Sequence, residues 1–155
     1  MLHIRTPLIL HPGLSTPARR IWLKLENLQP SGSFKLRGMG LLCSQAKAQG
    51  KRKVVCPSGG NAGFATAVAA ASLGLKACIV VPHTTPETTR ARIRKTGAEV
   101  IVHGKVWDEA NLRAKELARA RTPSTCQPSI TRCCGKGTVR WSMKSSRIVL
   151  RSMQW

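Results

Sequence analysis

Between residues 20 and 120 the apolar positions fall into short blocks that switch between two periods. Ile21-Trp22-Leu23-Lys24-Leu25 alternates as a half-buried strand does. Residues 33–49 space their apolar side chains as a helix, with Ser33 where a cap is wanted and Gly50 where a helix ends. Val54-Val55-Cys56 is an unbroken apolar run of strand length. The Ala-rich segment 60–73 after it predicts a helix closed by Gly74. Ala77-Cys78-Ile79-Val80-Val81 is a second such run, stopped by Pro82, and Pro86 opens a helix reaching Thr96, with Gly97 next. Val100-Ile101-Val102 reads as a strand, and Val106 to Ala120 as a helix in which Glu109 and Arg113 stand one turn apart as an ion pair. Strand and helix thus recur four times, which predicts an α/β fold on a parallel sheet.

After Ala120 the order ends. Residues 121–155 follow no strand or helix period, carry seven Lys and Arg and no acid, and set Cys133-Cys134 beside Gly135-Lys136-Gly137. Local preferences there agree on no single fold. The chain of 155 residues therefore divides into an ordered domain, 1–120, and an aberrant basic tail, 121–155, expected to be unstructured.

The tail changes the meaning of the net charge, +20. Taken whole, that charge suggests a nucleic-acid partner. Outside the tail the excess is scattered, apart from Lys51-Arg52-Lys53 and the Arg90–Lys95 stretch, which read as a solvated turn and a solvated helix face. A basic nucleic-acid-binding protein is kept as the non-enzyme alternative. The first residues lack the apolar stretch of a signal peptide, and no run reaches membrane-spanning length. The six cysteines form no Cys-x-x-Cys pair, and Cys43, Cys56 and Cys78 lie inside apolar segments. They read as reduced thiols of a cytoplasmic protein, neither a disulfide framework nor a zinc site. His3, His11, His83 and His103 share no ligand spacing and read as surface; no metal is expected.

Two turns carry the candidate chemistry. Pro30-Ser31-Gly32-Ser33-Phe34-Lys35-Leu36-Arg37-Gly38 sets one lysine among small residues and an aromatic at the mouth of a helix. An amine that attacks a carbonyl must be unprotonated, and desolvation favours that form. One unit later, Ser58-Gly59-Gly60-Asn61-Ala62-Gly63 offers backbone N–H groups at a helix start, which suits a carboxylate or phosphate. Together they read as a Schiff-base lysine beside an anion site. Singly, each has a plainer reading: Lys35 a surface lysine, Phe34 a core side chain, Asn61 a helix cap, the second turn a connection without a ligand. Cys56 reads as core, and Arg37 is placed outside the chemistry.

Thr6-Pro7-Leu8, Leu23-Lys24-Leu25-Glu26-Asn27, the Pro30–Gly38 run, the Ser58–Gly63 turn and Gly104-Lys105-Val106-Trp107-Asp108-Glu109-Ala110 recur here together in order and spacing. Over residues 3–120 or so, the chain resembles the serine/threonine dehydratases of the fold-type II pyridoxal-phosphate enzymes. The resemblance implies an α/β fold, the parallel-sheet small domain of such an enzyme (tryptophan synthase β-like), with the large domain mostly missing. It implies pyridoxal 5'-phosphate as cofactor, attached to Lys35, which is also the base that takes the substrate α-proton. Phe34 would pack on the cofactor ring and Asn61 would hydrogen-bond its ring oxygen. Ser58, Gly59, Gly60, Asn61 and Ala62 would cradle the substrate carboxylate. The implied activity is dehydration of L-serine, with L-threonine as a further substrate, to a 2-oxo acid and ammonia. The implied partner is an amino acid, with no nucleic acid and no membrane, and the family is expected to form homodimers. Serine racemase or threonine deaminase chemistry is the competing enzyme reading.

The tail resembles the same family's next segment in another reading frame. Codons permitted by residues 129–142, begun one nucleotide earlier, allow F-D-H-P-L-L-W-E-G-H-S-S-M-V, close to a stretch the family carries there. On that reading the cofactor-phosphate loop, the group at the pyridine nitrogen and the monovalent-cation site are not in this chain. The chain as written is then expected to bind the cofactor poorly and to be inactive.

Overall fold

The computed structural model describes residues 1–119; the basic tail, with Cys126, Cys133 and Cys134, lies outside them. The chain opens with an antiparallel ribbon, Leu8–Leu10 (β1) against Trp22–Lys24 (β2), pairing Leu8 with Lys24 and Leu10 with Trp22. A 3₁₀ turn, Glu26–Leu28, leads to the helix Lys35–Ala48 (α1). Then come Lys53–Cys56 (β3), Asn61–Leu73 (α2), Lys76–Val81 (β4), Glu87–Arg94 (α3), Glu99–Val102 (β5) and Trp107–Arg119 (α4). β3, β4 and β5 form a parallel sheet in that order, with Val55 beside Cys78 and Cys78 beside Glu99.

Among the described residues the parallel layer thus holds three strands, one fewer than the sequence repeat predicts. The alternating segment at Ile21–Leu25 does form a strand, but it pairs with β1 in the ribbon. The reason lies in its pattern. Alternation marks a strand with one dry face, whereas strands between helix layers are apolar on both. β2 is half-buried to exposed, while β4 is buried from Ala77 to Val81.

Successive side chains of β4 point to opposite faces. Ile79 and Val81 join Leu36, Met39 and Cys43 of α1, Ala65, Ala67, Ala69 and Ala70 of α2, and Ile93 of α3 in the larger core. Cys78 and Val80, with Val55, pack against Ala110, Ala114 and Ala118 of α4 on the other face. Small side chains on α2 and α4 let both helices lie close to the sheet. Among the described residues no helix is long and apolar enough to cross a membrane.

Several local expectations give way. α1 begins at Lys35, and its cap position is held by Phe34 without a side-chain bond, so Ser33 is not the cap. Gly60, not Asn61, holds the cap position of α2. Asn61 is the first helical residue, because extended backbone at Gly60 makes the turn without a side chain. Arg113 pairs with Glu116 at 3.0 Å instead of Glu109. Glu109 Oε2 turns back to accept from the Lys105 N–H at 2.6 Å, which satisfies a donor at the start of α4. His3 and His11 are half-buried, and His11 Nδ1 accepts from the Leu14 N–H at 3.0 Å. The basic stretches are only partly solvated. Lys53 lies in β3 and pairs with Glu99 at 3.1 Å, and half-buried Arg90 donates to the His83 carbonyl at 2.6 Å.

Candidate active site

A parallel sheet gathers the loops that leave its carboxyl ends on one edge, where α/β folds bind ligands. Here those loops follow β3, β4 and β5, and they are tied to one another. The His103 N–H donates to the Val81 carbonyl and the His83 N–H to the Gly104 carbonyl, both at 2.8 Å. Trp107, first residue of α4, donates from its indole Nε1 to the Pro57 carbonyl at 2.6 Å. The residue just before the Ser58–Asn61 turn is therefore held from a point fifty positions along the chain.

Within that turn the Gly60 N–H donates to Ser58 Oγ at 3.3 Å, and the Phe64 N–H to the Gly60 carbonyl at 3.1 Å. Two glycines are demanded by space. A methyl at Gly63 would fall on the Ser58 carbonyl oxygen, 2.8 Å from its carbon. One at Gly59 would stand 2.7 Å from Thr85 Cγ2, in the loop after β4. Gly60 and Asn61 are exposed, and Ser58, Gly59 and Ala62 half-buried. The first N–H groups of a helix have no helical acceptor, so the start of α2 meets solvent with donors to offer.

The other motif stands at the start of α1. Lys35 is half-buried, not fully buried as a desolvated amine would suggest, because its chain runs beside an open neighbour. That neighbour is Phe34, a residue 43% exposed, with its ring centroid 4.9 Å from Lys35 Nζ. A core role for Phe34 is excluded by that exposure.

Arg92 of α3 joins the two motifs. Its guanidinium lies over the Phe64 ring, 4.0 Å from the centroid, and its Nη2 is 3.6 Å from where a Gly32 methyl would be. Gly32 lies three residues before Lys35, and Phe64 three after Asn61. The structure therefore brings the Lys35 and Asn61 motifs to a common neighbour. Arg92, Thr85 and Trp107 are the residues that sequence reasoning left without a role. Trp107 sits inside the Gly104–Ala110 motif, which was its signal. Arg92 carried none, because a stacked arginine and a solvated one look alike in sequence.

This set fits pyridoxal phosphate: a primary amine for its aldehyde, an open aromatic face beside that amine for its ring, and a carboxamide with helix-start donors nearby. The family model described as pyridoxal-phosphate dependent enzyme matches residues 1–142.

The chain belongs to the pyridoxal-phosphate dependent enzyme family.

Within that family it is 52% identical over 118 residues to a human protein named serine dehydratase-like, covering 76% of this chain and 36% of that one. It is 46% identical over 134 residues to the L-serine dehydratase of Dictyostelium discoideum, covering 81% of this chain and 38% of that one. The crystal structure of a fungal L-serine ammonia-lyase from Rhizomucor miehei superposes with a TM-score of 0.71 at 36% identity, over 94% of this chain and 47% of that one. The chain thus spans little more than a third of the length of these curated relatives. The expected fold class, the parallel-sheet small domain of a fold-type II enzyme, stands, and pyridoxal phosphate is the cofactor of the family.

Proposed function

We propose that this site serves the dehydration of L-serine, and of L-threonine, to a 2-oxo acid and ammonia. The observation that carries the reading is the half-buried Lys35 amine over the exposed Phe34 ring, on a motif that shares Arg92 as a neighbour with the start of α2. The names of the similar proteins support the choice of substrate. Lys35 would hold the cofactor through its aldehyde carbon, Phe34 would cover its ring, and Asn61 would hydrogen-bond its ring oxygen. When bound, pyridoxal phosphate supplies the electron sink for charge that develops at the substrate α-carbon. The remaining work belongs to side chains and backbone. Ser58, Gly59, Gly60, Asn61 and Ala62 present donors at the start of α2 that bind and orient the substrate carboxylate. Lys35 Nζ takes the α-proton, and the β-hydroxyl leaves as water with a proton. Hydrolysis of what remains gives the 2-oxo acid and ammonia. Arginine cannot replace Lys35, because guanidinium keeps its proton.

The partner in this reading is a small amino acid, not nucleic acid or membrane, acting in a cytoplasmic homodimer. Occupied basic side chains support the first exclusion: Arg90 and Arg94 pair with Glu87, and Arg92 stacks on Phe64. The domain reading, an ordered 1–120 and an unstructured tail, belongs to the same proposal, with turnover requiring the family's full length. The test is borohydride reduction in the presence of pyridoxal phosphate, followed by peptide mass mapping. The pyridoxyl label is expected on Lys35 and absent from Lys35→Ala. A label on Lys24 or Lys47 in place of Lys35 overturns the assignment.

A further inference from the structure

We infer that Glu26, acting through Arg37, is the positioning residue that sets where the Lys35 amine stands; this rests on Lys35 being the cofactor lysine. The helix that begins at Lys35 has no cap of its own. Phe34 makes no side-chain cap bond, and the first turn contains no acidic residue. The Ser33 hydroxyl, in a residue 7% exposed, has no partner. Without a side-chain cap, the start of α1 is held only by short-range backbone bonds, the Leu36 and Arg37 N–H groups donating to the Ser33 and Phe34 carbonyls at 3.3 and 3.1 Å, and such an end frays. Lys35 is the first residue to go.

What holds it comes from elsewhere in the chain. Arg37, third residue of α1, donates from Nε to Glu26 Oε2 at 2.9 Å and from Nη2 to Glu26 Oε1 at 2.7 Å. This is the two-pronged contact that guanidinium and carboxylate share, which fixes direction as well as distance. Arg37 Nη2 also donates to the Ile4 carbonyl at 3.2 Å. Glu26 accepts further bonds from Thr6 Oγ1 at 2.6 Å and Gln29 Nε2 at 3.1 Å. Gln29 clasps Ile4 from both sides, accepting from its N–H at 3.0 Å and donating to its carbonyl at 2.9 Å. The Gly32 N–H donates to the Gln29 carbonyl at 2.6 Å. The amino-terminal strap, the 3₁₀ turn and the first turn of α1 therefore close on one carboxylate. The Arg37 and Glu26 side chains are only 12% and 17% exposed, so this pair escapes much of the screening that weakens surface pairs. An arginine in a first helical turn is unfavourable beside the positive end of the helix dipole. Bound to a carboxylate from eleven residues earlier, it becomes an anchor two residues from the amine.

The experiment uses the 155-residue chain. It is incubated with excess pyridoxal phosphate and reduced with borohydride, and the label at Lys35 is compared with the label at Lys24 and Lys47. Amide exchange over Val54–Val81 reports whether the core persists. Arg37→Lys keeps the charge and loses the two-pronged contact, and the Lys35 share of label is expected to fall about tenfold with core protection unchanged. If Arg37→Lys loses core protection, Thr6→Val is read in its place. It removes one hydrogen bond to Glu26 and no charge, with a fall of about threefold expected. A folded variant of either kind that keeps the wild-type share overturns the inference. So does an equal fall in Arg113→Gln, which cuts an exposed pair on α4 and should change nothing. If Lys35 takes no label in the wild type, the functional proposal fails first and this inference with it.

Discussion

Gly63→Ala places a methyl where the structure has none to spare. An ideal Cβ there overlaps the Ser58 carbonyl oxygen, stands 2.8 Å from the carbonyl carbon and 3.1 Å from Ile79 Cγ2. Relief requires the Ser58 peptide to move by an ångström or so, since a carbon and an oxygen do not pack closer than about 3 Å. Its neighbours are held, the Pro57 carbonyl by the Trp107 indole at 2.6 Å and Ser58 Oγ by the Gly60 N–H at 3.3 Å, so that movement is resisted. The overlap should therefore cost about 3 kcal/mol, at the upper end for an overpacked site. Helix preference works the other way, because replacing glycine by alanine inside a helix such as α2 adds about 0.5–1 kcal/mol of stability. The net loss is about 2 kcal/mol, which lowers a urea midpoint by about 1 M at the slope usual for a small domain. The assay is urea unfolding followed by helical circular dichroism. Gly59→Ala is the comparator. Its methyl meets both γ atoms of the Thr85 side chain, at 2.7 and 2.9 Å, instead of a backbone carbonyl, and a loop side chain gives way more readily than a peptide, so it should lose less than Gly63→Ala, about 1 kcal/mol. A Gly63→Ala midpoint equal to or above wild type would refute the reasoning, because helix preference alone would then explain it.

Burial by itself would raise the Glu26 carboxyl, but hydrogen bonds from Arg37, Thr6 and Gln29 with the Arg37 charge hold it at about 2, against an ordinary 4.5. A depressed carboxyl adds stability that is fully present above its unfolded value and is lost as pH falls through its folded value. The stability gap between wild type and Glu26→Gln, read by urea titration, should be largest at neutral pH and shrink between pH 4.5 and about 2; a constant gap would contradict this. Burial pushes the Cys43 thiol up to about 12, and burial with the nearby Glu99 pushes Cys78 to about 11. Iodoacetamide at mildly alkaline pH should leave both unmodified in the native chain and alkylate both in denaturant, as read by peptide mapping. Trp107→Phe keeps an aromatic side chain, though a smaller one, and deletes the donor to the Pro57 carbonyl. It should lose about 1 kcal/mol and speed amide exchange at Gly60, whereas unchanged exchange would mean the indole does not hold the turn.

Much of the architecture was legible in the sequence because it depends on local pattern. Unbroken apolar runs at Val54–Cys56, Ala77–Val81 and Val100–Val102 have strand length, and recurring between helical segments they point to a helix-covered parallel sheet. The glycines and prolines between them marked the helix ends with errors of a residue or two. The chemistry-bearing types, Lys35 and the Ser58–Gly63 turn, were visible because few other patterns set a lone lysine and a glycine pair at such boundaries. Tertiary structure decided the rest. It placed the Ile21–Leu25 strand in a ribbon with Leu8–Leu10, since pairing partners are chosen by packing and not by propensity. It took Ser33 and Asn61 out of their capping roles. Arg37 showed no role in sequence, because an ion pair across eleven residues of turn is set by where the chain folds back. Trp107 and Arg92 meet Pro57 and Phe64 for the same reason. A sequence records which side chains can donate, accept or stack. Only the closed fold brings donor to acceptor within the 2.6 to 4.0 Å at which those capacities are used.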